Sequence, residues 1–191
     1  MRKANNKLNN TLILITGTFL FLVSYTFDQQ ASLFFKGVKF AFLDFVLGII
    51  TNFGVVVAVM LLIPSVIFYK KNKKIMHLLW LTFFVSIVAA FIIKLIVLRQ
   101  RPTEAFTYPF TNMLNYSFPS MHAMAVFSLL PLLVKHLPKQ KYFWIVFGIL
   151  AVVSRIYFGF HFLSDVVFGA FAGYFIGDYL LESYGKKKIW K

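Results

Sequence analysis

Long apolar runs separated by short polar stretches dominate the chain. Six apolar segments fall at about 11–27, 45–69, 75–97, 119–134, 142–158 and 162–181. Several are a little shorter than the ~20 residues that take a helix across a bilayer core. The pattern predicts an all-α polytopic membrane protein, a bundle of six transmembrane helices. Short spans suit helices whose ends line a site walled by protein. Residues 31–44 mix Lys36, Lys39 and Asp44 with Phe34, Phe35, Phe40 and Phe42, which predicts a helix lying in the interface before span two. Met1-Arg2-Lys3 precedes an apolar run from Leu12 to Phe27. This is the charge order of a signal peptide without a small-x-small cleavage site, and it reads as an uncleaved first span.

Composition strengthens that picture. Hydrophobic residues make up 60% of the 191, 25 of them Phe, and mean hydropathy is +0.77, well beyond the roughly half-apolar norm of soluble chains. The length suits one compact unit, so residues 1–191 are expected to form a single membrane domain.

The net charge of +14 could serve nucleic acid or an anionic surface, and its placement decides between them. The cations cluster in short loops, as they do on the cytoplasmic side of membrane proteins. With six spans, both termini share one side with the 2–3 and 4–5 loops. That side holds Arg2, Lys3, Lys7, Lys70, Lys71, Lys73, Lys74, Lys135, Lys139, Lys141, Lys186, Lys187, Lys188 and Lys191. Both termini are therefore expected in the cytoplasm, with the bilayer as partner and no nucleic acid. The absence of cysteine excludes disulfides, thiolate metal sites and a catalytic thiol.

Four of the remaining cations, Lys94, Arg99, Arg101 and Arg155, belong to later spans or their outer edge. A charge at a helix centre costs about 2.5–3.5 kcal/mol on insertion scales, so a function is expected there. Three clusters stand out: Lys94-x6-Arg101-Pro102, Pro119-Ser120-Met121-His122, and Ser154-Arg155-x5-His161-x3-Asp165. Four residues apart on a helix, His161 and Asp165 would share a face. The carboxylate would fix the imidazole tautomer and leave the other nitrogen free to attack, and histidine can carry a phosphoryl group. Lys94, Arg101, Arg155 and Ser120 could surround a phosphate. The helix opened by Pro119 points its N-terminal N–H groups toward the same anion. His122 would then serve as acid and base. Outer carboxylates are few, so no metal and no cofactor are expected.

In order and spacing, these clusters resemble the three signature motifs of the type-2 phosphatidic acid phosphatase superfamily. The matching positions are Lys94, Arg101, Pro102, Pro119, Ser120, His122, Ser154, Arg155, His161 and Asp165. The resemblance implies a phosphohistidine on His161, oriented by Asp165, with His122 as acid/base. It also implies phosphate binding by Lys94, Arg101, Ser120, Arg155 and the Met121 amide, with Ser154 as a phosphate or supporting contact. One departure is Met121, where the family usually has glycine, whose bare backbone approaches a phosphate closely.

The expected activity is hydrolysis of a phosphomonoester or diphosphate of a membrane lipid at the outer face. Polyprenyl diphosphate, phosphatidic acid and phosphatidylglycerophosphate are the candidates. Alternatives are a lipid phosphotransferase or a non-catalytic phospholipid-binding membrane protein. Arg99 and Glu104 read as charges that solvate the outer loop, and His77 and His136 as interface anchors. Gly169, Gly173 and Gly177 form a small-xxx-small stripe, read as internal packing, with a homodimer face the less favoured use.

Overall fold

Side-chain caps decide where several of these helices start. In the computed structural model, which describes residues 2–103 and 115–186, all regular elements among the described residues are helical. α1 spans Arg2–Thr26, α2 Asp28–Gly37, α3 Ala41–Thr51 and α4 Phe53–Val57. The last runs through a π-turn, Ala58–Leu62, into α5, Ile63–Lys71. Then come α6 Lys73–Val97, α7 Met121–His136, α8 Lys141–Tyr157 and α9 Leu163–Lys186.

The apolar run at 45–69 is not one helix. Asn52 adopts an extended backbone, and its side chain accepts from the amides of Gly54 and Val55 at 2.8 and 3.4 Å. It thereby satisfies donors that an incoming helix end leaves open. Helix therefore restarts at Phe53 and not at 45. The stretch expected as one interfacial helix at 31–44 is two, α2 and α3, parted at 38–40. Asn72 caps α6 in the same way through Lys74 and Ile75, and Ser120 caps α7 through Ala123. The segment expected from 119 thus becomes helical at Met121.

Phe53–Lys71 and Lys73–Val97, of mean hydropathy 2.2 and 2.4, are long and apolar enough to cross a bilayer unaided. The apolar helices Leu14–Thr26, Ala41–Thr51 and Met121–His136 are shorter. α7 is the core helix: Met124, Leu129, Leu132 and Leu133 are almost fully buried, alongside Met60, Leu61 and Leu79. The outer surface carries Phe19, Phe42, Phe45, Val66, Ile96 and Tyr142 well exposed, an apolar exterior that water would not tolerate and acyl chains would.

The glycine stripe of α9 lies against α7. A Cβ at Gly169 would come within 2.8 Å of the Ser120 carbonyl, and one at Gly173 or Gly177 would press still harder on the carbonyls of Met124 and Ser128. Bare backbone lets the two axes close up, so the stripe is occupied within the fold. That contact sets the N-terminus of α9 beside the N-terminus of α7, and the Ser120 amide donates to the Asp165 carbonyl at 3.1 Å. The α2–α3 pair is pinned to the end of α8. Lys39 Nζ donates to the Tyr157 carbonyl at 2.8 Å, and the Tyr157 hydroxyl donates to Asp44 at 2.7 Å.

Candidate active site

At one end of the bundle, the last turn of α6, the first turns of α7 and α9 and the end of α8 converge. α6 stops at Leu98, in the left-handed region with φ of 52°, and the chain turns across the helix ends. The Ser117 amide donates to the Arg99 carbonyl at 2.7 Å, bringing the return strand of the loop beside its outgoing one. Glu104 and most of the outer loop lie outside the described residues.

The three expected cations meet here, each held by oxygen. Lys94 is 1% exposed, and its ammonium donates to the carbonyls of Tyr116 and Ser117 at 2.5 and 3.4 Å. Buried charge persists only with such partners. Arg101 donates to the carbonyls of Asn115 and Phe160 at 3.0 and 2.7 Å. Arg155 donates to the Thr51 hydroxyl and carbonyl at 2.7 and 3.2 Å and lies over the Phe160 ring.

His122, in the first turn of α7, places Nε2 3.0 Å from the Thr51 carbonyl. A carbonyl can only accept, so that nitrogen carries a proton. The Phe53 ring packs edge-on against the imidazole, 4.8 Å between centroids. The break between α3 and α4 thus presents one carbonyl to both His122 and Arg155.

His161 is not on a helix. It occupies the turn between α8 and α9, where Gly159 takes a φ of 70° and the His161 amide donates back to the Arg155 carbonyl at 3.2 Å. The four-residue spacing to Asp165 works differently from a shared helix face: Asp165 sits in the first turn of α9 and reaches back. Its Oδ2 accepts from the Phe162 amide at 2.8 Å, the reciprocal half of a capping box, and stands 3.7 Å from His161 Nδ1. That separation exceeds a hydrogen bond. The His161 ring is 2% exposed. Burial, then the charges of Arg155, Arg101 and Lys94, hold its pKa well below the ordinary value of 6.5, so the ring is neutral at physiological pH.

Ser120 is buried as the α7 cap, and Met121 is the first residue of that helix, half-buried. Ser154 is buried, with its hydroxyl turned back to the Ala151 carbonyl of its own helix at 2.7 Å. Arg99, expected to solvate the loop, instead bridges two acids: Nη1 donates to Asp165 Oδ1 at 2.8 Å and Nη2 to Asp28 Oδ2 at 2.7 Å. Thr51 and Ser117 also escaped the sequence reading. The one available signal was Asp28, a carboxylate directly after an apolar run with no nearby cation in sequence.

Among the described residues no three His, Asp or Glu side chains converge as metal ligands would. The converging groups are cations, N–H donors, two imidazoles and one carboxylate. Such a set complements a tetrahedral oxyanion, and it can accept a phosphoryl group on nitrogen.

Comparison with known proteins gives the family and the fold. Phosphatidylglycerophosphatase B of Bacillus subtilis (strain 168) is 35% identical over 100 residues, an alignment taking in 47% of this chain and 47% of that relative. This chain therefore matches about half the length of that curated relative. The fold resembles the crystal structure of a transmembrane PAP2 type phosphatidylglycerolphosphate phosphatase from Bacillus subtilis. The TM-score is 0.70 at 22% identity, covering 93% of this chain and 98% of that one. The family model described as PAP2 superfamily matches residues 74–189, which takes in all three clusters, and the chain belongs to the PAP2 superfamily.

Proposed function

We propose that this protein is an integral-membrane lipid phosphatase that removes a phosphate from a phosphomonoester or diphosphate through a phosphohistidine on His161. The observation that carries the reading is the convergence of Lys94, Arg101 and Arg155 on a neutral, buried His161 backed by Asp165. Closing the 3.7 Å gap to hydrogen-bond length would fix the proton on Nδ1 and leave the second nitrogen its lone pair.

That nitrogen attacks phosphorus while the bond to the leaving oxygen breaks. His122, entering as the imidazolium with Nε2–H kept on the Thr51 carbonyl, donates its Nδ1 proton to the leaving alcohol or phosphate. A water then attacks phosphorus, His122 takes a proton from it, the P–N bond breaks, and free phosphate departs. Lys94, Arg101, Arg155, Ser120 and the amides at Met121 neutralise the charge on the equatorial oxygens. Ser154 keeps its hydroxyl on the Ala151 carbonyl and is given no contact with phosphate in this scheme. The reaction needs no metal in this scheme.

The relative's name places phosphatidylglycerophosphate beside phosphatidic acid and polyprenyl diphosphate as substrates to test. The six apolar segments support six spans, and the distribution of lysine and arginine supports both termini in the cytoplasm and the site at the outer face. The interfacial role falls to α2 and α3. Phosphate release from those three lipids and a soluble phosphomonoester, for the wild type and His161→Ala with chelator present, tests the reading. Release by His161→Ala at the wild-type rate would sink the assigned nucleophile.

A further inference from the structure

Asp28 lies outside the three clusters and Arg99 is one of the unassigned positions within the first, yet they reach the innermost carboxylate of the site. Asp28, the first residue of α2, is 5% exposed. Its Oδ1 accepts from the Ser164 amide at 2.8 Å, and its Oδ2 accepts from the Ser164 hydroxyl at 2.6 Å and from Arg99 Nη2 at 2.7 Å. The other terminal nitrogen of Arg99 donates to Ser164 Oγ at 2.7 Å and to Asp165 Oδ1 at 2.8 Å. Phe162 stacks beneath the guanidinium, 4.1 Å from its ring centre, and Tyr25 of α1 lies on it at 5.3 Å.

From this geometry we propose that Asp28 and Arg99 are positioning residues for the phosphoryl transfer proposed above: they fix Asp165 by one oxygen so that the other remains turned to His161. The inference rests on that reading of His161. Asp165 divides its two oxygens. Oδ1 goes to Arg99, and Oδ2 goes to the Phe162 amide and faces the ring. An unrestrained arginine prefers to fork across both oxygens of one carboxylate, which would take Oδ2 from the imidazole. Asp28 prevents this by holding the second arm of the fork 2.7 Å away on another helix.

Charge points the same way. When the P–N bond forms, His161 becomes a phosphoimidazolium, and three groups around it are already cationic: Lys94 from α6, Arg101 from the loop and Arg155 from α8, while His122 of α7 has given up its proton. Arg99 alone would cancel Asp165. With Asp28 included, the three groups carry one net negative charge toward the ring that gains a positive one. Asp28 thereby ties the α1–α2 corner to the reacting centre.

The test uses the full chain, purified in detergent, as Asp28→Asn and Arg99→Lys. The first keeps the shape and removes the charge, and the second keeps the charge and removes the fork. Phosphate release from phosphatidylglycerophosphate and phosphatidic acid gives kcat and KM. The affinity for vanadate, which adopts the trigonal-bipyramidal geometry of the transfer, is measured alongside melting and size-exclusion profiles. For each variant, kcat is expected to fall roughly tenfold to 100-fold, the range seen when residues that orient metal-binding histidines are replaced. KM should stay within about threefold, and vanadate affinity should fall by about tenfold or more. A variant that melts like the wild type, with kcat and vanadate affinity unchanged, overturns the proposal. Should Asp28→Asn not fold, Arg99→Lys decides alone on the same measurements. A wild type that releases no phosphate refutes the functional reading and the positioning role with it, whereas an active wild type with unchanged variants overturns the positioning role alone.

Discussion

Replacing Gly177 by alanine adds one carbon to the face of α9 that lies on α7. Built on the backbone, that Cβ collides with the Ser128 carbonyl and comes within 2.8 Å of its carbonyl carbon. Neither atom is the end of a flexible side chain. Both are helix backbone held by α7's own hydrogen bonds, and Ser128 is fully buried. The helices must therefore part or tilt. Overpacking of this kind costs about 1–3 kcal/mol. For a chain of this size that is roughly 2–12 °C in melting temperature, taking about 2–4 °C per kcal/mol. The displacement also reaches the site, because α7 and α9 carry Ser120, His122 and Asp165, and the Ser120 amide donates to the Asp165 carbonyl at 3.1 Å. Gly185→Ala is the control: nothing lies within 4 Å of its added carbon, and alanine exceeds glycine in helix propensity by about 1 kcal/mol. Thermal melting and lipid phosphatase activity of both variants in one detergent provide the comparison. A Gly177→Ala protein that melts with the wild type and turns over normally would show that the stripe does not set the α7–α9 distance.

Three further outcomes follow from the site. The depressed pKa of His161 means that the unfolded chain binds this proton first, so its linkage costs stability only as pH falls below 6.5 and nothing above it. In histidine-labelled protein, the resonance missing from His161→Gln should therefore hold its neutral position as pH drops through 6.5, and a midpoint at or above that value would contradict the burial argument. Thr51→Val removes the 2.7 Å acceptor of Arg155 and leaves the carbonyl at 3.2 Å. The loss of a hydrogen bond to a charged group is about 1.5–3 kcal/mol, and a lower melting temperature with a raised KM is expected; no change in either would mean that Thr51 does not hold the arginine. Phosphate release is expected to persist in excess EDTA, and activity that vanished and returned with a divalent cation would replace the metal-free scheme.

The sequence exposes those parts of the site whose chemistry is carried by residue type and local spacing. Lys94, Arg101, Arg155, His122 and His161 announce themselves because charge and imidazole are costly among apolar spans, and all five converge. Pro119-Ser120 is legible as a helix start for the same local reason. Asn52 also bears a local signal, a capping side chain before an apolar run. It was hidden because hydropathy continues across it, and hydropathy records composition without recording where a backbone bends.

Arg99 failed to stand out for a different reason. Its partners are Asp28, 71 residues away, and Asp165, 66 residues away, and no helical or strand period links positions so distant. Such pairs exist only once α7 and α9 have closed on their glycine stripe and the end of α6 has been turned over them. The His161–Asp165 pair shows the converse. Its spacing is visible in the sequence and its geometry is not, because four residues fit a helix face and a capping turn equally well. The turn leaves the His161 ring outside the helix, with Nδ1 3.7 Å from a carboxylate that the Phe162 amide and Arg99 hold in place. For the nucleophile proposed above, a carboxylate held in this way means that a shift of about 1 Å between ring and oxygen brings the pair to hydrogen-bond length.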